Sequence, residues 1–302
     1  MCVKTRPLVL GVILCFLGAA AGVAALPRHD PVPGGVTLVP LGIMAATPPA
    51  VQYNARPVMV VWHREQWTAV VGIPLATEPG VQTLTLHQGG ERRQHRAFTV
   101  RPKRYEQEWI TLQNPRLVNP TPADLERIAR ENQDMTAALA QWTPTTLADV
   151  SFSLPVQGRW SSPFGLRRYY NGEPRRPHSG LDIAAPAGTP VRAPAPGRVV
   201  ATGHYFFNGK TLFLEHGQGL VTMYCHLHRI DVKPDQRVER GEIIGAVGQT
   251  GRATGAHLHW SISLNRTMVD PVLFLPEALV AQKLAQKQTE ASDLKGGKGD
   301  SK

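Results

Sequence analysis

Apolar and polar residues alternate along most of this chain, in short runs broken by Gly and Pro. A period of two sets one face of a strand against a core and the other against water. Between residue 27 and about 112, Val58-Met-Val-Val-Trp62, Trp67-Thr-Ala-Val-Val-Gly-Ile-Pro74, Thr83-Leu-Thr-Leu-His87 and Arg96-Ala-Phe-Thr-Val100 predict strands. Pro79-Gly80 and Gly89-Gly90 supply turns between them. Short strands at this spacing predict a small β-sandwich over 27–112.

The period then changes. Asn119-Pro-Thr-Pro-Ala-Asp leads into a stretch where Leu125, Ile128, Ala129 and Met135 sit near helical spacing, with Thr121 as N-cap. This predicts a helical connector over 113–150. From 151 to 275 the pattern is β again, with dense Gly and Pro punctuation. Strands are predicted at 198–201, 211–214, 220–224, 242–247 and 257–263. A last helix is predicted over 276–287, and the tail to Lys302, with Lys295-Gly-Gly-Lys-Gly-Asp-Ser-Lys302, reads as disordered. The chain reads as mainly β, without internal repeats.

The 302 residues suffice for two ordinary domains, and 42% hydrophobic residues suffice for sizeable cores. The formal charge of +10 favours anionic partners. No recognition helix, RNP-type strand or zinc-finger spacing accompanies it, so nucleic acid is not an expected partner. Lys4 and Arg6, the apolar run from Leu8 to Leu17 and the small residues from Ala19 to Ala25 have the form of an export signal over 1–25. An alternative is an uncleaved anchor, because the uncharged run from Leu8 to Leu26 is just long enough to span a bilayer. Either way a periplasmic or cell-envelope location is expected, with membrane attachment only if the leader is retained. Beyond the leader Cys225 stands alone, so no intramolecular disulfide can form after its removal. Adjacent strand residues point to opposite faces, which argues for an inert thiol at Cys225 rather than a Cys–His pair with His226.

Seven of the eleven His lie between His178 and His259. His257 and His259, two apart on a predicted strand, share a face about 6.7 Å apart. They could both bind a metal, or one could bind while the other acts in catalysis. His178 and Asp182 would lie roughly 13 Å apart on an extended strand, too far to share one ion. Pro177 and Gly180 disfavour a helix, so the chain must bend, and Ser179-Gly180 is where it can. Two His and one Asp would make a three-ligand zinc site with an open position, the catalytic type.

In order along the chain stand Ser161-Ser-Pro-Phe-Gly165, His178-Ser-Gly-Leu-Asp-Ile-Ala184, Tyr224-Cys-His-Leu227, Gly248-Gln-Thr-Gly251 and His257-Leu-His-Trp260. Together they closely resemble the lysostaphin/LytM-type peptidoglycan zinc metallopeptidases over about 156–275. Pro33-Gly-Gly-Val36 and Val118-Asn-Pro120 are similar, more loosely, to the N-terminal β-domain of some exported members. The resemblance implies a compact antiparallel, duplicated-hybrid-motif-like sheet. It implies one Zn(2+) held by His178, Asp182 and His259, with His226 and His257 as catalytic residues. It further implies hydrolysis of cross-links or stem peptides in peptidoglycan. Non-catalytic relatives that activate a partner amidase have lost some of these positions; here all five hold the expected residue. Cys225 and His228 depart from the usual small residues.

Less directly, Arg167, Arg168, Arg175 and Arg176 could bind stem-peptide carboxylates or solvate a loop, and Tyr169, Tyr170 and Asn171 could line a groove. His204 and His216 read as structural or exposed. A domain ahead of a hydrolase suggests restraint of its activity, by itself or through a regulatory partner.

Overall fold

The computed structural model describes residues 26–87, 93–144 and 150–296. The leader, the Gly89-Gly90 turn, residues 145–149 of the connector and the last six residues of the tail lie outside the described residues. Among the described residues no helix is long and apolar enough to cross a membrane.

The first strands pair into two sheets. Val36–Pro40, Gln66–Gly72 and Met59–His63 form one; Arg56–Pro57, Ala50–Tyr53, Gly80–His87 and Arg93–Val100 form the other. Between them lie Val51, Tyr53, Val60, Ala69, Val71, Leu84 and Leu86, a sandwich core as the alternation predicts. The three-stranded sheet is apolar on both faces. Val60, Ala69 and Val71 face the sandwich, while Val36, Met59, Val61 and Val70 join the core of the second β-body. Burial on both faces is why Val58-Met-Val-Val61 and Ala69-Val-Val71 are continuously hydrophobic, a departure from the alternation expected over this region. A buried Asn265 completes the junction. Its Oδ1 accepts from Gly72 N at 2.7 Å and its Nδ2 donates to Gly72 O at 3.1 Å, as a neighbouring strand would.

The second body is an eight-stranded sheet. In spatial order it runs Arg237–Val238, Gly197–Tyr205, Gly209–Glu215, Val221–Leu227, His257–Leu264, Leu181–Ala184 and Arg159–Ser162, with Thr267–Val269 paired beside His257–Leu264. Every pairing in it is antiparallel. One face carries Leu212, Leu214, Tyr224, Leu258, Trp260 and Ile262 into the main core. On the other lie Phe213, Val221, Met223 and Cys225, partly covered by Ala138 of the connector helix. The sandwich meets this sheet near Leu264 and Val269, at the end of the central strand remote from His257.

The end of the predicted sandwich and the connector each differ from the sequence reading. Gln107–Ile110 pairs in parallel with Arg167–Tyr170 rather than with the sandwich. The helix Pro122–Leu139 opens on the predicted Thr121 cap, closed by Asp124 in a capping box. Its predicted stripe begins too early, however. Leu125 is 54% exposed, and the helix docks through Ala138 and the partly buried Met135 and Leu139. Side-chain-to-backbone ties fix its middle: Glu131 accepts from Phe206 N at 2.8 Å. The last helix, Glu277–Gly296, extends beyond the predicted end.

Within the core, His216 Nδ1–H donates to Pro196 O at 2.8 Å, so Nε2 accepts from Thr222 Oγ1 at 2.8 Å, and Tyr224 OH in turn donates to Thr222 Oγ1 at 2.9 Å. Burial pushes the His216 imidazole down from 6.5 to about 4. Between these values the unfolded chain takes up a proton that the folded chain refuses. Stability from this group is fully present above pH 6.5 and is lost as pH falls towards 4. Thermal unfolding followed against pH should show this loss, on the order of 3 kcal/mol. The pH slope should shrink by about one proton in His216→Gln.

Candidate active site

The strand His257–Leu264 builds the floor. Its register sets Asp182 opposite His259 on one side and Cys225 opposite His259 on the other. Alternation sends Leu258 and Trp260 to the core and His257 and His259 to the opposite face. Asp182 Oδ1 lies 2.8 Å from His259 Nδ1 and 2.9 Å from His178 Nε2, and the two ring nitrogens are 2.9 Å apart. All three residues are buried.

His178 reaches this point across a tight crossing. The bend at Ser179-Gly180 does not use a left-handed glycine, since Gly180 is not among the residues of positive φ. The need is space: a Cβ on Gly180 would sit 2.5 Å from Trp260 O and 2.9 Å from His259 Cε1. Glycine lets the His178 segment pass directly against the central strand.

His226 arrives by a different device. Alternation from Tyr224 would aim it into the main core. Its backbone is left-handed instead, with φ of 62°, and the ladder to Gly209–Glu215 is irregular between Lys210 and Leu212. The departure brings the ring over to the site, 4.8 Å from the His257 ring and 6.0 Å from the His259 ring, centroid to centroid. Such a conformation in a non-glycine residue costs about 1–3 kcal/mol and is typical of functional positions.

Backbone carbonyls set the tautomers. Nδ1–H of His178, His226 and His257 donates to Pro163 O, Thr250 O and Gly255 O respectively, each at 2.8 Å. Each neutral ring therefore presents its Nε2 lone pair inward. His259 is turned the other way, with Nε2 2.8 Å from Ser261 Oγ and Nδ1 towards the cluster. Burial, then the neighbouring His257 and His259, push His226 down to about 3. Burial likewise pushes His259 down to about 4. Burial alone would raise the Asp182 carboxyl, yet hydrogen bonds from the His178 and His259 rings, whenever those facing nitrogens carry protons, hold it well below the usual carboxylate range. A carboxylate and two inward lone pairs at this separation repel one another unless a positive charge lies among them. Ring protons can supply it, and so can a divalent cation. Two imidazoles, one carboxylate and no thiolate form a donor set that suits zinc with an open position.

A second charge system backs the first. Arg168 Nη2 donates to Asp182 Oδ2 at 2.8 Å, and Arg168 Nε donates to Glu108 Oε2 at 2.9 Å. Glu108 also accepts from Ser162 Oγ at 2.8 Å. Tyr169 stacks on Trp109, with centroids 4.1 Å apart and planes 12° apart. Sequence reading offered Arg168 as a substrate ligand or a loop cation; it is the clamp on Asp182. Arg175 is tied to Glu173, Asn119 and Val118 O, and Asn171 to the Leu112 backbone. Arg167 and Arg176 are exposed. Glu108 was not legible, because its partner Arg168 is sixty positions distant and meets it through a parallel pairing. Cys225 is buried, its thiol pushed up to about 12 by burial, and His228 is exposed.

Comparison with known proteins identifies relatives of both β-bodies. The family profile described as Peptidase family M23 matches residues 176–271, and that described as the Peptidase family M23 N-terminal domain matches 29–103. A solved structure from Pseudomonas aeruginosa, described as an M23 peptidase, superposes with a TM-score of 0.69 at 45% identity, covering 82% of this chain and 95% of that one. The DD-carboxypeptidase/endopeptidase Mpg of Neisseria meningitidis is 42% identical over 44% of this chain and 32% of its own length. The peptidoglycan DD-endopeptidase ShyA of Vibrio cholerae is 43% identical over 36% of this chain and 26% of its own. The chain thus spans about a third or less of these curated relatives.

Arg168→Ala should lower unfolding stability by on the order of 3 kcal/mol, because it leaves one oxygen of buried Asp182 without its cation. Gly180→Ala should cost about 2 kcal/mol, since the obstructing Trp260 atom is backbone and cannot rotate away. Denaturant midpoints of the metal-free proteins measure both.

Proposed function

This chain belongs to peptidase family M23, and from that premise we propose that it is a zinc-dependent endopeptidase of the cell envelope that hydrolyses peptide bonds in peptidoglycan. The observation that carries the proposal is the convergence of His178, Asp182 and His259 beside two further His whose lone pairs face the same space. The names of the curated relatives point to a DD bond as the bond cleaved.

His178 Nε2, Asp182 Oδ1 and His259 Nδ1 would hold the zinc ion. When bound there, zinc lowers the pKa of its water to about 7 and polarises a carbonyl. His226 and His257 border the groove with Nε2 facing it, since Nδ1 of each is held by Thr250 O or Gly255 O. One accepts the proton of the attacking water and returns it to the departing amine nitrogen. The other, when protonated, donates to the oxygen that gains charge. The low value of His226 keeps that ring neutral at physiological pH, with its Nε2 lone pair available as a hydrogen-bond acceptor. Pro163, Thr250 and Gly255 carbonyls hold the rings so that little reorganisation accompanies the transfer.

The groove has two halves. One, of about 320 Å³, is bordered by Glu108, Ile110 and Leu112 together with His226 and His257. The other, of about 460 Å³, runs under Met135 and Leu139 of the connector helix. Any restraint on activity therefore falls to the segment after the sandwich, which reaches the site, rather than to the sandwich. Removing 27–150 would also uncover the core that Met59 and Val61 share with the second body, so deletion is a poor test of restraint.

A non-catalytic activator of a partner amidase is the competing reading, and intact His178, Asp182, His226, His257 and His259 disfavour it. Purified protein incubated with defined muropeptides should release shortened products by mass, with about one zinc per chain. Chelator should stop release and zinc should restore it. His178→Ala and Asp182→Ala should lose the metal. His257→Ala should keep it while turnover falls about 10²-fold or more. Hydrolysis indifferent to chelator, or undiminished in His257→Ala, would overturn the proposal.

A further inference from the structure

The two halves of the groove share four residues: Arg168, Tyr170, His226 and Arg252. A chain lying across the site passes all four. Two of them are cations, and they differ in one respect. Arg168 is neutralised by Asp182 and Glu108. Arg252 has no carboxylate partner among the described residues. Its guanidinium lies 4.2 Å from the Phe207 ring centroid and 4.5 Å from that of Tyr170, and its one hydrogen bond from the side chain goes from Nη1 to Leu117 O at 3.3 Å. Its backbone is fixed too, with N donating to Phe207 O at 2.8 Å. The charge is thus largely withdrawn from water, positioned by two rings and left uncompensated. Burial lowers its proton affinity, Tyr170 opposes that shift, and repulsion from Arg168 and Arg175 adds to it. Exposed Arg159 lines the wall of the first half, also without an ion-pair partner among the described residues.

An arginine held flat with unused donors is suited to a bidentate carboxylate, and an anion supplied by the ligand would relieve its burial. We propose that Arg252 is the specificity-determining residue of the groove and binds a free carboxylate on the substrate, carried by a residue flanking the bond that lies over His178, Asp182 and His259. This deepens the peptidoglycan reading and rests on it for the nature of the substrate. It assigns to Arg252 the selection of carboxylate-bearing stem peptides over amidated ones.

The test uses two cross-linked muropeptides that differ only in carboxylate or carboxamide on the residue flanking the scissile bond. Dissociation constants are measured on the zinc-loaded full chain carrying His257→Ala to block turnover, and initial rates on the chain without that change. The carboxylate peptide should bind about tenfold or more tightly. In the Arg252→Gln background the ratio should fall to about one, and Arg252→Lys should keep part of it. Equal binding of the two peptides without any change at Arg252 overturns the proposal even if Arg252→Gln fails to fold, as does a ratio that survives Arg252→Gln. Selective binding without hydrolysis would sink the hydrolase reading and leave this one standing; hydrolysis without selectivity would do the reverse.

Discussion

The Asp182 carboxylate is the point on which the arrangement turns. It is buried, ionised and shared. One oxygen faces His178 and His259, and the other takes Arg168. An ionised carboxyl in this setting is tolerable only when every oxygen meets a positive or hydrogen-bonding partner. That requirement draws together four stretches of chain from three well-separated parts of the sequence. They are the 178–182 segment, the central strand, the Arg167–Tyr170 strand and, through Arg168, the Gln107–Ile110 segment that follows the sandwich.

Regular β-structure alone does not deliver five polar rings and carboxylates to one place. His257, His259 and Asp182 come from ordinary register and alternation. The other two need local exceptions: a side-chain-free crossing at Gly180, and a left-handed backbone at His226. Around both, the backbone does the orienting. Three backbone carbonyls, of Pro163, Thr250 and Gly255, each outside the strands, fix three imidazole tautomers. The groove therefore meets its substrate already organised, which is where electrostatic and proximity effects have most to offer.

The sandwich contributes at a distance. Its three-stranded sheet shares a core with the second body at the far end of the central strand, and Asn265 stitches the two backbones together. The segment leaving it crosses to the site and supplies Glu108 and one wall. The N-terminal region is thus part of the structure that holds Arg168, not only a cover. Arg252, by contrast, is a cation without a carboxylate partner among the described residues.

Read alone, the sequence determined the mainly β class, the longer strands of both bodies and the capped helix, but not the short strands Arg159–Ser162, Arg167–Tyr170 and Leu181–Ala184. Period-two alternation is a local property, legible without coordinates, whereas the grouping of His178, Asp182, His226, His257 and His259 was what the resemblance of their motifs implied, not what their spacing showed. Only tertiary structure decided what Arg168 does, that Glu108 belongs to the site, why Gly180 is glycine, and which carbonyl holds each ring. Each of these depends on atoms brought together from distant positions, and a chain read one residue at a time does not carry the separations that make them neighbours.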